Sequence, residues 1–333
     1  MKKWILSVFV MVLAACMLLV GCKKNVGTPE DNAVEKEEAD GTEEEKQEDT
    51  YTFGYSCIDM DNPYFETLQM SIKTTLDEND FQLITKNPGS DVNLQIEQIE
   101  EMIEQGVDAV FLCPVDWEKI TPALEALRKA DIPVINIDTQ VKDTELADAY
   151  IGSDNKKAGY LCGEDLIEQR PDGGKIVILE CPSLNSINER ITGFEEAIID
   201  AGFEVLARAD VGAQKDKAQS EMENILEQYS QIDAVMCGND QAALGVLQAM
   251  KDAGRGGILV YGVDGSPGVK SELLKPGTCM AGTGAQSPIN IGKKAVETGI
   301  AILEGNDYEK ETYVDTFFIN KNNVEMYGTD GWQ

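Results

Sequence analysis

Five short apolar runs of this sequence of 333 residues are each followed directly by polar side chains next to a turn, in segments 62–65, 113–116, 138–139, 239–240 and 264–265. The Asn and Asp side chains there offer fixed hydrogen-bond donors and acceptors, while Tyr64 and Phe65 offer flat apolar faces. This combination suits a ligand with hydroxyl groups at its rim and C–H bonds on its faces, such as a sugar or cyclic polyol. Each segment alone is more typical of a helix cap, and Tyr64 and Phe65 also suit core packing at a helix start.

Most enzyme chemistries are excluded by composition and motif. The sequence contains no histidine, so Ser-His-Asp and Cys-His triads and H-E-x-x-H zinc sites are absent. It also lacks a phosphate-binding loop, a G-x-S-x-G elbow and a G-x-G-x-x-G turn after a strand. We therefore predict no catalytic residue, no metal and no cofactor. Paired carboxylates for glycoside hydrolysis stay open as an alternative, because their spacing is set only in three dimensions.

The net charge of the chain limits the classes of partner that it can bind. A formal net charge of −32 argues against nucleic acid, whose binding requires a basic surface. It also disfavours an anionic ligand.

Alternation of elements predicts the fold class. Apolar runs rich in β-branched residues alternate with amphipathic segments such as 93–105 and 188–201, a pattern typical of parallel sheets covered by helices on both faces. The predicted strands are 52–57, 81–85, 109–112, 134–137, 175–179, 204–207, 234–236, 259–263 and 280–283. One sheet of this width is unusual, so we predict two doubly wound sheets of about five strands each, divided near 151–154. A strand at 313–319 would provide another crossover.

The predicted fold gives the five polar segments a common location. Ligands of doubly wound sheets bind beyond the carboxyl ends of the strands, where all five segments are placed. Two lobes imply a cleft between them.

The N-terminal region predicts export. Lys2 and Lys3 precede an apolar stretch, so residues 1–21 read as a signal peptide, with a retained membrane span as the alternative. The residues before Cys22 resemble the bacterial lipobox, which predicts lipidation of Cys22. Residues 22–50 are Glu-rich and read as an acidic tether, or alternatively as a partner-binding tail.

The other cysteines are scattered. They are Cys16 in the signal region and Cys57, Cys113, Cys162, Cys181, Cys237 and Cys279 in the body. None forms a C-x-x-C pair and several lie in apolar runs, so we predict free thiols in the body.

From about residue 50 to 319 the chain resembles the periplasmic sugar-binding proteins of the ribose- and galactose-binding type, the substrate receptors of ABC importers. Five segments carry the resemblance: Asn-Pro-Tyr-Phe at 62–65, Ile-Pro-Val-Ile-Asn-Ile-Asp at 132–138, Asn-Glu-Arg-Ile-Thr-Gly-Phe at 188–194, Asn-Asp-Gln-Ala-Ala-Leu-Gly at 239–245 and Gly-Val-Asp-Gly at 262–265. Gln286 stands where the family has a ligand glutamine at a lobe crossover.

The resemblance implies a set of binding residues. Tyr64 and Phe65 would stack on the sugar, Asn62 and Asp138 would bind hydroxyls from the first lobe, and the second lobe would contribute Arg190, Asn239, Asp264 and Gln286. Three departures bear on specificity. Ribose binders have an arginine where this chain has Thr139, an asparagine where it has Cys113 and an aromatic where Ala213 aligns, so the pocket is expected to be less cationic, less polar and more open.

The resemblance also implies an architecture and a role. We expect an α/β protein of two doubly wound lobes joined by a hinge, the type I periplasmic binding protein fold, with lobes 51–153 plus 287–315 and 154–286 plus 316–333. Its role would be that of a monomeric, lipid-anchored receptor on the outer face of the membrane. It would bind a neutral monosaccharide or polyol for the permease and ATPase of an ABC importer. A sensor for a chemoreceptor or membrane kinase is the alternative, followed by a surface glycosidase.

Overall fold

The structure, a computed structural model, describes residues 50–333. The predicted signal peptide, Cys22 and residues 22–49 of the predicted tether lie outside this range. The described chain contains two six-stranded sheets, which confirms the prediction of two doubly wound α/β lobes. Within residues 50–333, none of the helices is long and apolar enough to cross a membrane.

The first sheet is parallel throughout, in the order β11-β5-β4-β3-β1-β2. Its strands are β1 (Thr52–Ser56), β2 (Gln82–Lys86), β3 (Ala109–Leu112), β4 (Val134–Ile137), β5 (Ala149–Ser153) and β11 (Glu311–Val314). Helices α1 (Pro63–Asp77) and α9 (Pro288–Leu303) pack against one face, where Phe53, Phe111 and Ile135 are buried. Helices α2 (Val92–Glu104) and α3 (Thr121–Lys129) cover the other face. Both faces are therefore buried, as the continuous apolar strands predict.

The second sheet has the order β12-β10-β9-β8-β6-β7. Its strands are β6 (Gly174–Glu180), β7 (Phe203–Asp210), β8 (Ala234–Cys237), β9 (Leu259–Asp264), β10 (Met280–Ala285) and β12 (Phe317–Asn320). Helices α4 (Asn155–Gln169) and α5 (Asn185–Ile198) cover one face, and α6 (Lys215–Gln228) and α7 (Asp240–Asp252) cover the other. The short helices α8 (Pro267–Leu273) and α10 (Val324–Tyr327) complete this lobe.

Three strand predictions were wrong in detail. Each sheet has six strands where about five were predicted, because β5 of the first sheet was not predicted and segment 313–319 contributes one strand to each sheet. The predicted strand 313–319 is two strands: β11 ends at Val314 in the first sheet, and β12 begins at Phe317 in the second. β12 pairs antiparallel with β10, so the second sheet is mixed. Such an antiparallel edge strand is common on otherwise parallel sheets.

The chain passes between the two sheets at three places. These are the connections from β5 to α4, from β10 to α9 and from β11 to β12. Three short crossovers side by side permit hinge motion of one lobe against the other.

The six cysteines of the body are free thiols, as predicted, and no disulfide joins them within residues 50–333. Five are buried, and Cys279 is half-buried. They pack as small apolar side chains, and burial raises the pKa of Cys57 to about 12, which keeps its thiol protonated.

Candidate functional site

A cavity of about 360 Å³ lies where the carboxyl ends of the two sheets face each other. This volume lies at the lower end of the range for small-molecule sites. Seven of the eight predicted ligand residues line it: Asn62, Tyr64, Phe65, Asp138, Arg190, Asn239 and Asp264. Gln286 is the eighth and lies behind the cavity surface. Residues from both lobes therefore meet at one site.

Helix α1 presents the two aromatic rings to the cavity. Asn62 caps this helix by accepting a hydrogen bond from the Tyr64 backbone N–H at 3.0 Å, and Pro63 begins the first turn. The Tyr64 and Phe65 rings are buried, and their centroids lie 5.3 Å apart at 87°. Asn62 thus caps the helix, as its residue type predicts, and also lines the cavity.

Asp138 follows β4 and is 3% exposed. Its Oδ2 accepts from the Cys113 thiol and the Thr139 hydroxyl, both at 3.5 Å. Its Oδ1 and the buried Tyr64 hydroxyl make no hydrogen bond of ordinary geometry in the described part of the chain, although the Tyr64 hydroxyl lies close enough to Asp138 to oppose a rise in the pKa of its carboxyl group. Burial raises the pKa of Asp138, an effect that the positive charge of Arg190 opposes. Buried polar atoms are nearly always paired, so these two atoms are available to a ligand that enters the cavity.

The backbone of Asp138 adopts a left-handed conformation with φ of 60°. The Asp138 N–H donates to the Ile151 carbonyl at 3.0 Å, and the Tyr150 hydroxyl donates to the Asp138 carbonyl at 2.8 Å. These contacts hold an unfavourable backbone conformation in place. Such conformations cluster at functional sites.

Arg190 is the central cation of the cavity. It is 3% exposed, so it is not a surface helix arginine. Its Nε donates to Asn155 Oδ1 at 2.8 Å, and its Nη1 donates to the Gly238 carbonyl at 2.9 Å and lies 3.4 Å from Asp264 Oδ1. These three contacts fix the guanidinium against one wall of the cavity.

The close contact of α4 and α5 places Arg190 at this depth. A Cβ atom on Gly159 of α4 would lie 1.7 Å from the Arg190 carbonyl oxygen, and one on Gly193 of α5 would lie 1.9 Å from the Lys156 carbonyl oxygen. Only glycine permits two helix backbones to lie this close.

Asp264 is the last residue of β9 and has a φ of 144°, which is unfavourable for any residue other than glycine. Its Oδ1 accepts from Gln286 Nε2 at 2.9 Å, and its Oδ2 accepts from the Asp240 backbone N–H at 3.4 Å. Burial raises the pKa of Asp264 from 3.8 to about 8, opposed by Arg190 and aided by the nearby Asp240. Gln286 is fully buried, so it orients Asp264 and does not reach the cavity itself.

The raised pKa of Asp264 predicts a pH dependence of stability. Between the ordinary pKa of 3.8 and the folded value of about 8, the folded protein binds more protons than the unfolded chain. The stability that this group contributes is therefore full below about pH 4 and is lost as the pH rises through about 8. We expect the thermal midpoint of Asp264→Asn to fall less steeply than that of the wild type over this window. Melting curves recorded at a series of pH values test this. Equal slopes of the thermal midpoint against pH in the two proteins would contradict the expectation.

The three specificity candidates have different positions. Ala213 lines the cavity with φ of 58°. Cys113 is fully buried beneath Asp138. Thr139 is also fully buried, and its hydroxyl shares a hydrogen bond of 2.6 Å with the Ser186 hydroxyl of the other lobe. Thr139 and Cys113 therefore lie outside the cavity lining and contact Asp138, and Thr139 also joins the two lobes.

Asn239 repeats the arrangement of Asn62 in the second lobe. It caps α7 by accepting from the Ala242 N–H at 2.9 Å, and its Nδ2 donates to the Ala213 carbonyl at 3.0 Å. Asp116, which follows β3, instead accepts from the Glu118 and Lys119 N–H groups and lies outside the cavity lining.

Several cavity residues were not predicted, and they include Asp59, Asp61, Ser90, Ser186, Gln214 and Gln241. Most lie on loops whose position depends on tertiary structure. Ser186 is different, because it lies four residues before Arg190 and hence on the same face of α5. That spacing is a signal in the sequence.

Direct contacts across the cavity show that the lobes are closed on each other. Gln214 Nε2 donates to Ser90 Oγ at 3.2 Å. The Trp117 N–H donates to the Ser183 carbonyl at 3.0 Å. Together with the bond between Thr139 and Ser186, these contacts enclose the space in front of Asp138.

Comparisons with known proteins agree with this architecture. The family model of the periplasmic binding protein domain matches residues 53–307. The ribose import binding protein RbsB of Bacillus subtilis (strain 168) is 30% identical over 261 residues, which cover 78% of this chain and 84% of that protein. The relatives are binding proteins and not enzymes, and this confirms the prediction that the chain is not an enzyme.

Two solved structures are similar in sequence and fold. An ABC transporter periplasmic solute-binding protein from Actinobacillus succinogenes 130Z, bound to D-allose, is 25% identical with a TM-score of 0.76, and the match covers 84% of this chain and 100% of that one. The fructose-binding periplasmic domain of a hybrid two-component system is 27% identical with a TM-score of 0.77, and the match covers 83% of this chain and 93% of that one. On the match of the family model, the chain belongs to the periplasmic binding protein family.

Proposed function

We propose that this protein binds one neutral monosaccharide or polyol between its lobes and delivers it to an ABC importer. The observation that carries the proposal is the pair of buried, unpartnered atoms, Asp138 Oδ1 and the Tyr64 hydroxyl, at a cavity that two aromatic rings also line. Hydroxyl groups would pair with these atoms and with Arg190 and Asp264. The C–H face of the ligand would pack on Tyr64 and Phe65.

The relatives support both the ligand class and the role. RbsB of Bacillus subtilis is named as a ribose import protein, and the Actinobacillus structure holds D-allose. We infer a ligand other than ribose, because Thr139, Cys113 and Ala213 replace two polar groups and an aromatic ring of the ribose binders. The room beside Ala213 would accept a hexose or a cyclic polyol.

Closure of the lobes would be the transport signal. The lobes we propose are 51–153 plus 287–315 and 154–286 plus 316–333, with the hinge at the three crossovers. A ligand that contacts Asp138 in one lobe and Arg190 in the other favours the closed form, which the permease and ATPase would recognise. No second copy is required for this, and we expect a monomer.

A thermal-shift screen tests the ligand class. The panel holds D-ribose, D-allose, D-fructose, xylitol and myo-inositol, with citrate and L-glutamine as non-sugar compounds. A ligand at about 100 times its Kd adds about 2.7 kcal/mol to the free energy of unfolding, so at least one sugar or polyol should raise the midpoint by several degrees. A panel in which only citrate or L-glutamine raises it would contradict the proposal.

A sensory role is the second candidate, because a similar structure is the periplasmic domain of a two-component system. Uptake of the best radiolabelled sugar separates the two roles. Deletion of the gene should abolish uptake if the protein serves an importer. Unchanged uptake, with loss of the transcriptional response to that sugar, would instead indicate a sensor.

Periplasmic binding proteins work outside the cytoplasm, and we propose that a diacylglycerol on Cys22 holds this one at the outer face of the membrane. Residues 22–50 would then act as an acidic tether between the lipid and the lobes. Labelled palmitate should enter the wild-type protein and not Cys22→Ser, which should also leave the membrane fraction. Equal labelling of both would show that Cys22 is not the anchor.

A further inference from the structure

Segment 328–333 lies behind one wall of the ligand cavity. The Trp332 ring is half-buried, and its centroid lies 5.7 Å from that of Tyr64, with the ring planes at 76°. This is the edge-to-face geometry that aromatic pairs prefer. Tyr64 lines the cavity and Trp332 does not. Trp332 therefore contacts the site from outside, through a ring that the ligand would touch.

Three hydrogen bonds hold this segment. Lys270 Nζ donates to the Gly331 carbonyl at 2.6 Å, and Gln333 Nε2 donates to the Tyr327 carbonyl at 3.1 Å. The Ser287 hydroxyl donates to the Gln333 carbonyl. Lys270 and Tyr327 belong to α8 and α10 of the second lobe, whereas Ser287 lies on the crossover from β10 to α9. Trp332 is thus held by the second lobe and the hinge, but it packs on a ring of the first lobe.

The bond from Lys270 shows that the segment is integral to the fold. Lys270 is fully buried, and burial of a lysine is unfavourable unless its ammonium group finds partners. The Gly331 carbonyl is such a partner. The segment also lies close to the residue that follows Asp264, because a Cβ atom on Gly265 would lie 3.6 Å from Gln333 Oε1.

We propose that Trp332 is a positioning residue of the ligand site, which holds Tyr64 against the cavity while the lobes are closed. Tight binding would then depend on a segment that does not touch the ligand. The choice of sugar probe rests on the proposed function. A measurement without ligand separates the two hypotheses.

The binding test compares Trp332→Ala with Trp332→Phe in calorimetric titrations with D-ribose, D-allose and xylitol. Loss of an aromatic pair corresponds to a Kd higher by about three- to tenfold for Trp332→Ala. Trp332→Phe keeps an aromatic edge and should stay within about twofold of the wild type. In a Tyr64→Leu background the alanine substitution should have little further effect, because the contact is already absent. Wild-type affinity in Trp332→Ala, or full additivity with Tyr64→Leu, would overturn the proposal.

The matched control is Tyr308→Ala, which removes an aromatic ring that is 43% exposed and lies outside the cavity lining. Its affinity should equal that of the wild type. A loss equal to that of Trp332→Ala would show that the effect is not specific to the contact with Tyr64.

Hydrogen exchange of the ligand-free protein tests the contact directly. In Trp332→Ala, the amides of residues 64–68 should exchange faster, while those of α6 stay unchanged. Unchanged exchange at 64–68 would overturn the proposal, and so would faster exchange throughout the protein, which indicates a general loss of stability. If no sugar binds the wild type, the proposed ligand class fails, and this measurement still decides the role of Trp332.

Discussion

Asp264→Asn should lower the affinity for the best sugar of the screen by about 30-fold or more. The Asp264 carboxylate lies at the cavity and is oriented by Arg190 and Gln286. Above about pH 8 the Asp264 carboxyl group is ionised, and hydrogen bonds to a charged group contribute about 1.5–3 kcal/mol each; every 1.4 kcal/mol corresponds to a tenfold change in Kd. Because the amide has nearly the same shape as the carboxyl group, the loss should be seen in titration calorimetry without a large change in fold.

Asp116→Asn is the control for this substitution. Asp116 also follows an apolar strand, but its carboxylate accepts from its own turn and pairs with Lys119 at 2.6 Å outside the cavity. Its Kd should match the wild type. Equal losses in the two variants would show that the cavity is not the ligand site.

Arg190→Met should abolish sugar binding and reduce the free energy of unfolding by about 3–5 kcal/mol, the range for removal of one partner from a buried ion pair. The substitution removes the Arg190 donor from two buried acceptors, Asn155 Oδ1 and the Gly238 carbonyl. It also removes the positive charge beside Asp264, whose Oδ1 keeps only the hydrogen bond from Gln286. Urea denaturation followed by circular dichroism measures the stability, and calorimetry measures the binding.

Arg208→Met provides the comparison. Arg208 pairs with Glu180 and Glu195 at the surface, where its side chain is 39% exposed. Exposed ion pairs of this kind contribute at most about 1 kcal/mol. A similar loss of stability in the two variants would mean that the burial of Arg190 is unimportant.

The strand ends were predictable from sequence because local signals coincide with the topology there. Asn62 and Asn239 are helix caps that must follow strands, and parallel strands bring their carboxyl ends to one edge. Both residues therefore reach the cavity. Asp116 has the same local signals, but its carboxylate accepts from the N–H groups of Glu118 and Lys119 and lies outside the cavity. The sequence pattern alone does not distinguish these two positions of a carboxylate.

The contacts between lobes were not predictable, because each depends on how two separately folded units meet. Thr139 is predicted to bear on specificity, and in the structure its hydroxyl shares a hydrogen bond with Ser186 across the lobes. Gln286 was expected at the ligand, yet its amide bonds Asp264 from behind. Trp332 lies more than 260 residues from Tyr64 in sequence, and their contact follows from the position of α8, α10 and the crossover at Ser287. Residue type predicted a polar site at this edge of the sheets. Which of its residues line the cavity and which orient other residues is seen only in the structure.

The strands at the hinge were missed for a related reason. β5 has the short sequence Ala-Tyr-Ile-Gly-Ser, whose apolar run is too brief to stand out from a loop. β11 and β12 are separated by two residues yet belong to different sheets. A hydropathy pattern reports which residues are buried, but not which sheet buries them.

The most direct test of the central claim is a crystal structure of the protein with the best sugar of the screen. We predict one sugar molecule in the cavity between the sheets, with a hydroxyl bonded to Asp138 Oδ1, others within reach of Arg190 and Asp264, and its C–H face on Tyr64 or Phe65. Clear density for the sugar at another place, with Asp138 Oδ1 still unpaired, would contradict the account.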